Sequence, residues 1–344
     1  MRILVLHSQV PFTHGGAEVL SNGLVNALRD RGHEAEMVAL PLQWNPPEKL
    51  LGAAVAWRML DLNQVDGRRV DAVVCTKFPT WAVRHPNKIL WLVHQHRQAY
   101  DLYGTEHSEF GGEGSTPQLR NDVFSIDRQG IGECRRRFAI SENVAGRLQQ
   151  FLGIDAEALY PPVEDRELWP DSYDPFVLSV ARLDALKRVN ALIEAWSGVD
   201  ERLKLKIVSD GPDRAQLVSR ARELGISGRV DFLGRVDDEC LAELYRRCRA
   251  VYYAPLDEDY GYTAVEALSA EKPVITASDS GGVLEFVRNG ETGSVTDLAP
   301  GALSNAINEY VNEELARDRG RRGKPLTADI SWDNVIRSLL GIDE

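Results

Sequence analysis

The stretch from Ala254 to Ile275 reads APLDEDYGYTAVEALSAEKPVI and carries two carboxylates, Glu258 and Glu266, on either side of Gly261. The pattern places Glu258 in the loop after a buried strand and Glu266 about one turn into the next helix, with Gly261 just before that helix starts. A helix start offers unpartnered backbone N–H groups and the positive end of the helix dipole, which suit a phosphate or pyrophosphate. Flanking carboxylates can accept hydrogen bonds from sugar hydroxyls. On local pattern a plainer alternative stands equal: Glu258 caps the helix and Glu266 lies solvated on its surface.

A second chemical group closes the apolar run Leu90-Trp-Leu-Val-His94-Gln-His96-Arg97. Open parallel sheets bind ligands at the C-terminal ends of their strands, and His94 is placed there. His96 shares its face if the strand continues, because side chains alternate with period two. A His-x-His metal site and a plain structural histidine are competing readings; no third ligand accompanies the metal reading. Gly15-Gly16, between the first strand and first helix, permits close backbone approach and positive φ.

These groups need a frame, and the chain supplies alternating strands and helices. Arg2–Leu6, Glu36–Leu40, Ala72–Cys75, Ile89–Val93 and Phe138–Ile140 read as strands, with helices after Gly16 and over 47–62. Thr105–Gln118, polar and Gly-rich, reads as a mobile loop. Prolines at 161, 162 and 170 mark a linker. Beyond it the alternation restarts, with strands at Phe176–Val180, Lys204–Val208, Val230–Leu233, Ala250–Tyr253 and Pro273–Thr276 and helices between them. The expected organisation is two doubly wound α/β domains, residues 1–163 and 164–326, followed by a C-terminal segment, 327–344.

Composition narrows the function. The 344 residues suffice for two cores, and 43% hydrophobic with 27% charged residues is an ordinary globular balance. Residues 1–160 hold 17 Lys+Arg and 18 Asp+Glu, a net charge of −1, together with all seven histidines; the remainder holds 23 and 34, a net charge of −11. An acidic half opposes loose nucleic-acid binding. The four cysteines form no CxxC pair, which argues against a zinc cage or disulfide framework and fits a reducing, cytoplasmic setting. No apolar run approaches the roughly 20 residues of a membrane span, and the start is too quickly polar for a secretory signal.

Several motifs in order resemble the retaining GT-B glycosyltransferases of family 4 (glycosyl transferases group 1). Glu258-x₇-Glu266, with Tyr260-Gly261-Tyr262-Thr263 inside it, resembles that family's signature. Ser179-Val-Ala-Arg182-Leu-Asp-Ala-Leu-Lys187-Arg looks like its donor-phosphate motif. Ser209-Asp210-Gly211-Pro212 and Val230-Asp-Phe-Leu233-Gly234 look like its nucleotide-contacting loops, and Pro11 to Glu18 with Arg31-Gly32-His33-Glu34 like its opening unit. The likeness spans nearly the whole chain and is strongest over 176–295. Two departures stand out: the family often has two glycines around the loop that here begins with Ser209, and Phe is commoner than Tyr at positions like Tyr260.

The resemblance implies two Rossmann-like domains facing each other across a cleft, with the last segment returning to the first domain. It implies hexosyl transfer from a nucleotide-activated sugar, UDP- or GDP-linked, to a hydroxyl of a glycan, a lipid-linked molecule or a small molecule. Anomeric configuration would be retained by a front-face route without metal or other cofactor. Arg182 and Lys187 would stabilise the departing diphosphate, Glu258 would touch the donor sugar, and Glu266 the ribose. Leu233 and Gly234 would face the base. Asp210, Gly211, Tyr260, Gly261, Tyr262 and Thr263 would complete the donor site; Gly15, Gly16 and His94 would reach it from the first domain. Asp257-Glu-Asp259 spells the metal-holding DxD of the other large glycosyltransferase class and is set aside on the doubled α/β pattern. Arg135-Arg-Arg137 and the helix bearing Leu50, Leu51, Val55, Trp57 and Leu60 leave peripheral contact with an inner membrane face open, against a plain solvated basic face. The alternatives are a sugar-nucleotide epimerase or phosphorylase of the same fold, or a non-catalytic nucleotide-sugar-binding subunit.

Overall fold

Apolar, often β-branched runs build two six-stranded sheets whose strands are all parallel. Strands covered on both faces become continuously apolar instead of alternating. The computed structural model describes every residue except 13–14, 106–107, 109, 111–116, 164–167 and 343–344. Most of the expected mobile loop 105–118 therefore lies outside the described residues.

The chain divides into two compact units, Met1–Pro162 with Ser331–Glu344, and Val163–Ile330. The first runs β1 (Arg2–Gln9), α1 (Gly16–Asp30), β2 (Glu34–Pro41), α2 (Lys49–Met59), a small hairpin of β3 (Gln64–Val65) and β4 (Arg68–Arg69), β5 (Ala72–Lys77), β6 (Lys88–His94), α3 (Pro117–Gly132), β7 (Arg136–Ala139), α4 (Glu142–Leu152) and β8 (Glu157–Ala158). The second runs β9 (Phe176–Val180), α5 (Val189–Ala195), β10 (Lys204–Val208), α6 (Arg214–Glu223), β11 (Val230–Gly234), α7 (Asp238–Arg247), β12 (Ala250–Tyr252), α8 (Tyr262–Ser269), β13 (Val274–Ala277), β14 (Gly293–Thr296), α9 (Pro300–Asn308) and α10 (Glu313–Gly323). The last helix, α11 (Trp332–Leu340), belongs to the first unit.

Strand order fixes where a ligand can sit. The first sheet is ordered β2-β1-β5-β6-β7-β8 and the second β11-β10-β9-β12-β13-β14. The direction of winding reverses between β1 and β5 in one, and between β9 and β12 in the other. At such a reversal the loops leave the strand ends in opposite directions and open a crevice.

The returning helix explains a glycine. Trp332 stands edge-on to Trp91 with ring centroids 6.1 Å apart. A Cβ at Gly23, inside α1, would lie 2.6 Å from the Trp332 ring. A helix-interior glycine costs roughly 1 kcal/mol against alanine; here it admits the indole. Arg136 donates to the Leu339 carbonyl at 3.1 Å, so one arginine of the basic run at 135–137 also holds α11 while remaining exposed. Of the apolar residues of α2 named above, two turn inward. Leu50 and Trp57 are buried in the unit, because a helix resting on a sheet turns its largest apolar side chains inward; Val55 and Met59 point out. Among the described residues no helix is long and apolar enough to cross a membrane.

Two alanine substitutions separate packing from propensity. Gly23→Ala collides with Trp332 and should destabilise by about 1–3 kcal/mol. Gly52→Ala, in α2 with nothing within 4 Å of the added carbon, should stabilise by about 0.4–1 kcal/mol. Thermal denaturation of both variants checks the pair; equal effects would contradict the packing argument.

Candidate functional site

At the β9/β12 reversal, four loops of the second unit are laced together. The loop after β9 enters a single 3-10 turn, Ala185–Lys187, capped by Asp184, whose Oδ1 accepts the Lys187 N–H at 3.2 Å. That turn delivers the Lys187 ammonium to the Glu258 carboxylate, with which it forms a short ion pair, and to the Tyr253 hydroxyl at 3.3 Å. Burial works against the lysine's charge, but Tyr253 and Glu258 outweigh it and hold its pKa above the ordinary value. Next along, Arg188 takes the left-handed region at φ 52° and aims its guanidinium at the Ala254 and Pro255 carbonyls, 2.8 and 2.7 Å away, and at both Asp279 oxygens. It ties the loops after β9, β12 and β13 into one body.

The loop after β10 joins them. Leu183 N–H donates to the Asp210 carbonyl at 3.1 Å, and Asp213 N–H to the Leu183 carbonyl at 3.0 Å. A Cβ at Gly211 would lie 2.2 Å from the Leu183 carbonyl oxygen, so only glycine allows this approach. Ser209 has φ 95° and donates its N–H to the Gly234 carbonyl at 2.7 Å. The departure from glycine at this position is thus absorbed: the serine follows a glycine-like path, at a cost of about 1–2 kcal/mol. Asp210 turns its carboxylate onto the Gly211 N–H at 2.8 Å, and Leu233 is exposed at the end of β11.

Gly261, with φ 98°, starts α8, whose first turn is anchored when Thr263 Oγ1 donates to the Val180 carbonyl at 3.0 Å. Both parts of the plainer reading fail. Glu258 does not cap α8, since Gly261 occupies that position and the carboxylate is on Lys187. Glu266 is not solvated: it is 7% exposed, and its Oε2 accepts from the Tyr245 hydroxyl at 2.7 Å. Tyr260 is buried against Tyr262 and Phe286, so any ligand contact there falls to its backbone. Arg182 remains largely in solvent, 3.7 Å from Asp184. A recess of about 970 Å³ between α5 and α6 is walled by none of Arg182, Lys187, Glu258 or Glu266.

In the first unit, β6 ends at His94, whose Nδ1 meets the Gln95 carbonyl at 2.8 Å. The strand does not continue, so the shared face for His96 lapses. His96 lies buried between Phe78 and Phe110, and burial, helped by His94, lowers its pKa to about 4. Among the described residues no three His, Cys, Asp or Glu gather as a metal-holding group. At the β1/β5 reversal stands a buried trio that no sequence motif joins. Glu18 Oε1 is 3.0 Å from Lys77 Nζ and 3.2 Å from His7 Nε2, while its Oε2 accepts the Gly15 N–H at 2.9 Å. Burial alone would raise the carboxyl's pKa; the bonds to His7 and Lys77 override it and hold the value at about 2. The amide of Gly15 is therefore used inside the loop. The signal was present in the sequence: a histidine and a lysine each interrupt an otherwise apolar strand close to its C-terminal end.

Residues 164–325 match the model of the family Glycosyl transferases group 1. The chain is similar to D-inositol 3-phosphate glycosyltransferase of Gordonia bronchialis, 28% identical over 258 residues that cover 67% of this chain and 56% of that one. It is also similar to N-acetyl-alpha-D-glucosaminyl L-malate synthase of Bacillus anthracis, 23% identical over 358 residues covering 90% and 88%. The chain spans a little over half the length of the first curated relatives it matches. Among solved structures it is similar to HepE of Anabaena in complex with UDP and glucose, with a TM-score of 0.74, 16% identity, and 98% and 100% of the two chains covered. That likeness shows the GT-B fold.

The buried trio makes a pH prediction. Glu18 has a lower pKa folded than unfolded, so its stabilisation is present above about pH 4.5 and is lost as pH falls toward 2. Glu18→Gln should flatten the acid limb of the stability curve in that window; an unchanged limb would contradict the assignment.

Proposed function

We propose that this chain, whose residues 164–325 match the model of the family Glycosyl transferases group 1, is a retaining glycosyltransferase that moves a hexosyl group from a nucleoside-diphosphate sugar to a hydroxyl acceptor. The observation that carries the reading is the convergence, at the β9/β12 reversal, of Lys187, Glu258, Tyr253 and the start of α8, with Arg182 at its rim.

The diphosphate lies against Lys187 and Arg182, with the first N–H groups of α8 adding their dipole. As the bond from the anomeric carbon to the phosphate oxygen breaks, negative charge grows on the leaving group; the Lys187 ammonium, held in place by Glu258, stabilises that change more than the ground state, and Arg182 adds its charge from the solvent side. Glu258 serves two ends. It keeps Lys187 charged and placed before the donor arrives, and it accepts hydroxyls of the transferred sugar. Glu266 accepts the ribose hydroxyls. In the front-face route, the acceptor oxygen bonds to the anomeric carbon on the side the diphosphate leaves, and its proton passes to a phosphate oxygen. His94 and the Gly15-Gly16 loop are assigned to the sugar end of the donor. No metal is required, since Arg182 and Lys187 supply the positive charge.

Calorimetry with UDP-, GDP-, ADP- and dTDP-sugars, with and without magnesium, tests the reading. One donor should bind, indifferent to magnesium, and NMR of the product should show the donor's anomeric configuration. Arg182→Ala and Lys187→Met should each lower kcat/KM roughly 10–100-fold. Binding that demands a metal, an inverted product, or no binding at all would contradict it. Turnover without acceptor, or only with inorganic phosphate, would move the assignment to an epimerase or a phosphorylase.

A further inference from the structure

Glu266 follows Gly261 by little more than one helical turn, yet it is 7% exposed, deep enough that its carboxylate depends on protein partners for its orientation. Its Oε2 accepts the hydroxyl of Tyr245 at 2.7 Å. Tyr245 comes from a different helix, the last turn of α7, and is fully enclosed. Burial and the adjacent carboxylate raise the phenol's pKa well above its ordinary value, so it keeps its proton and acts as a donor toward Glu266. A glutamate left to itself loses side-chain freedom when a ligand fixes it. One already held by a rigid aromatic donor has met that cost on folding, and recognition gains by the difference.

We propose that Tyr245 is the positioning residue for ribose recognition: its hydroxyl holds the Glu266 carboxylate in the orientation that accepts the ribose hydroxyls, and so sets a preference for ribonucleotides over deoxyribonucleotides. This rests on Glu266 being the ribose contact, as proposed above. A purely structural tyrosine would stabilise α7 against α8 without any bearing on which sugar the nucleotide carries.

The test compares UDP and GDP with their 2′,3′-dideoxy forms by calorimetry, on the wild type, Tyr245→Phe, Glu266→Gln and the double variant. The wild type should favour the ribonucleotide by about tenfold or more, the worth of a hydrogen bond to a charged group. Tyr245→Phe should lose most of that ratio by weakening the ribonucleotide alone, leaving the dideoxy affinity in place. Glu266→Gln should lose it too, and the double variant should match Glu266→Gln, because Tyr245 acts through Glu266. The double variant also removes the buried charge together with its donor, which keeps the comparison open if Tyr245→Phe folds poorly. A ratio lost in Glu266→Gln and kept in Tyr245→Phe overturns the inference and leaves the ribose reading standing. So does equal weakening of both ligands by Tyr245→Phe. A wild type with no ribose preference, or a Glu266→Gln protein that keeps it, overturns the ribose reading itself.

Discussion

The ion pair between Lys187 and Glu258 is the constraint on which the second unit's loops depend. Each partner arrives by a different crossover, Lys187 after β9 and Glu258 after β12, and the strand order of the sheet makes those ends neighbours. Burial among loops works against the charge of a lysine, and a neighbouring carboxylate offsets that penalty. Arg188 performs the matching mechanical task, binding carbonyls of one loop and the Asp279 carboxylate of another. The charge of Lys187 and the position of Glu258 are therefore one property of the structure, and a change in either is felt by both.

The first unit solves a similar problem by a different means. Its reversal, between β1 and β5, is filled by the His7–Glu18–Lys77 trio, whose polar groups face each other and not solvent. The trio fastens the Gly15 end of the loop to α1 through Glu18. Where the second unit uses an ion pair and arginine contacts to lace long loops, the first uses one glutamate three residues into its helix to hold a short one. Trp332, entering beside Gly23, closes the far side of α1.

Much of this could be read from the sequence, and the limits have physical reasons. Period and punctuation are local, so β9 and β10 match their expected bounds residue for residue, and Gly261 stands at the start of α8. Partnerships between distant residues are not local. Glu266 has the look of a surface acid because nothing near it in sequence announces Tyr245, 21 positions away on another helix. Arg188 sits beside a motif lysine yet serves loops 66 and 91 positions away. Ser209 shows the reverse case: its residue type points to a changed backbone, while the surrounding hydrogen bonds hold it on a glycine-like path. The extent of β6 depended on whether the backbone went on pairing past His94, which an apolar pattern does not encode.

Everything proposed for this site requires that the β9/β12 crevice hold a nucleoside diphosphate. A crystal structure of the protein with UDP or GDP bound tests it most directly. The diphosphate is expected within hydrogen-bonding reach of Lys187 Nζ and Arg182, over the first turn of α8, with the ribose hydroxyls on the Glu266 carboxylate. A nucleotide seated elsewhere, such as against the His7–Glu18–Lys77 trio or in the recess between α5 and α6, with Lys187 still paired only to Glu258, would contradict it.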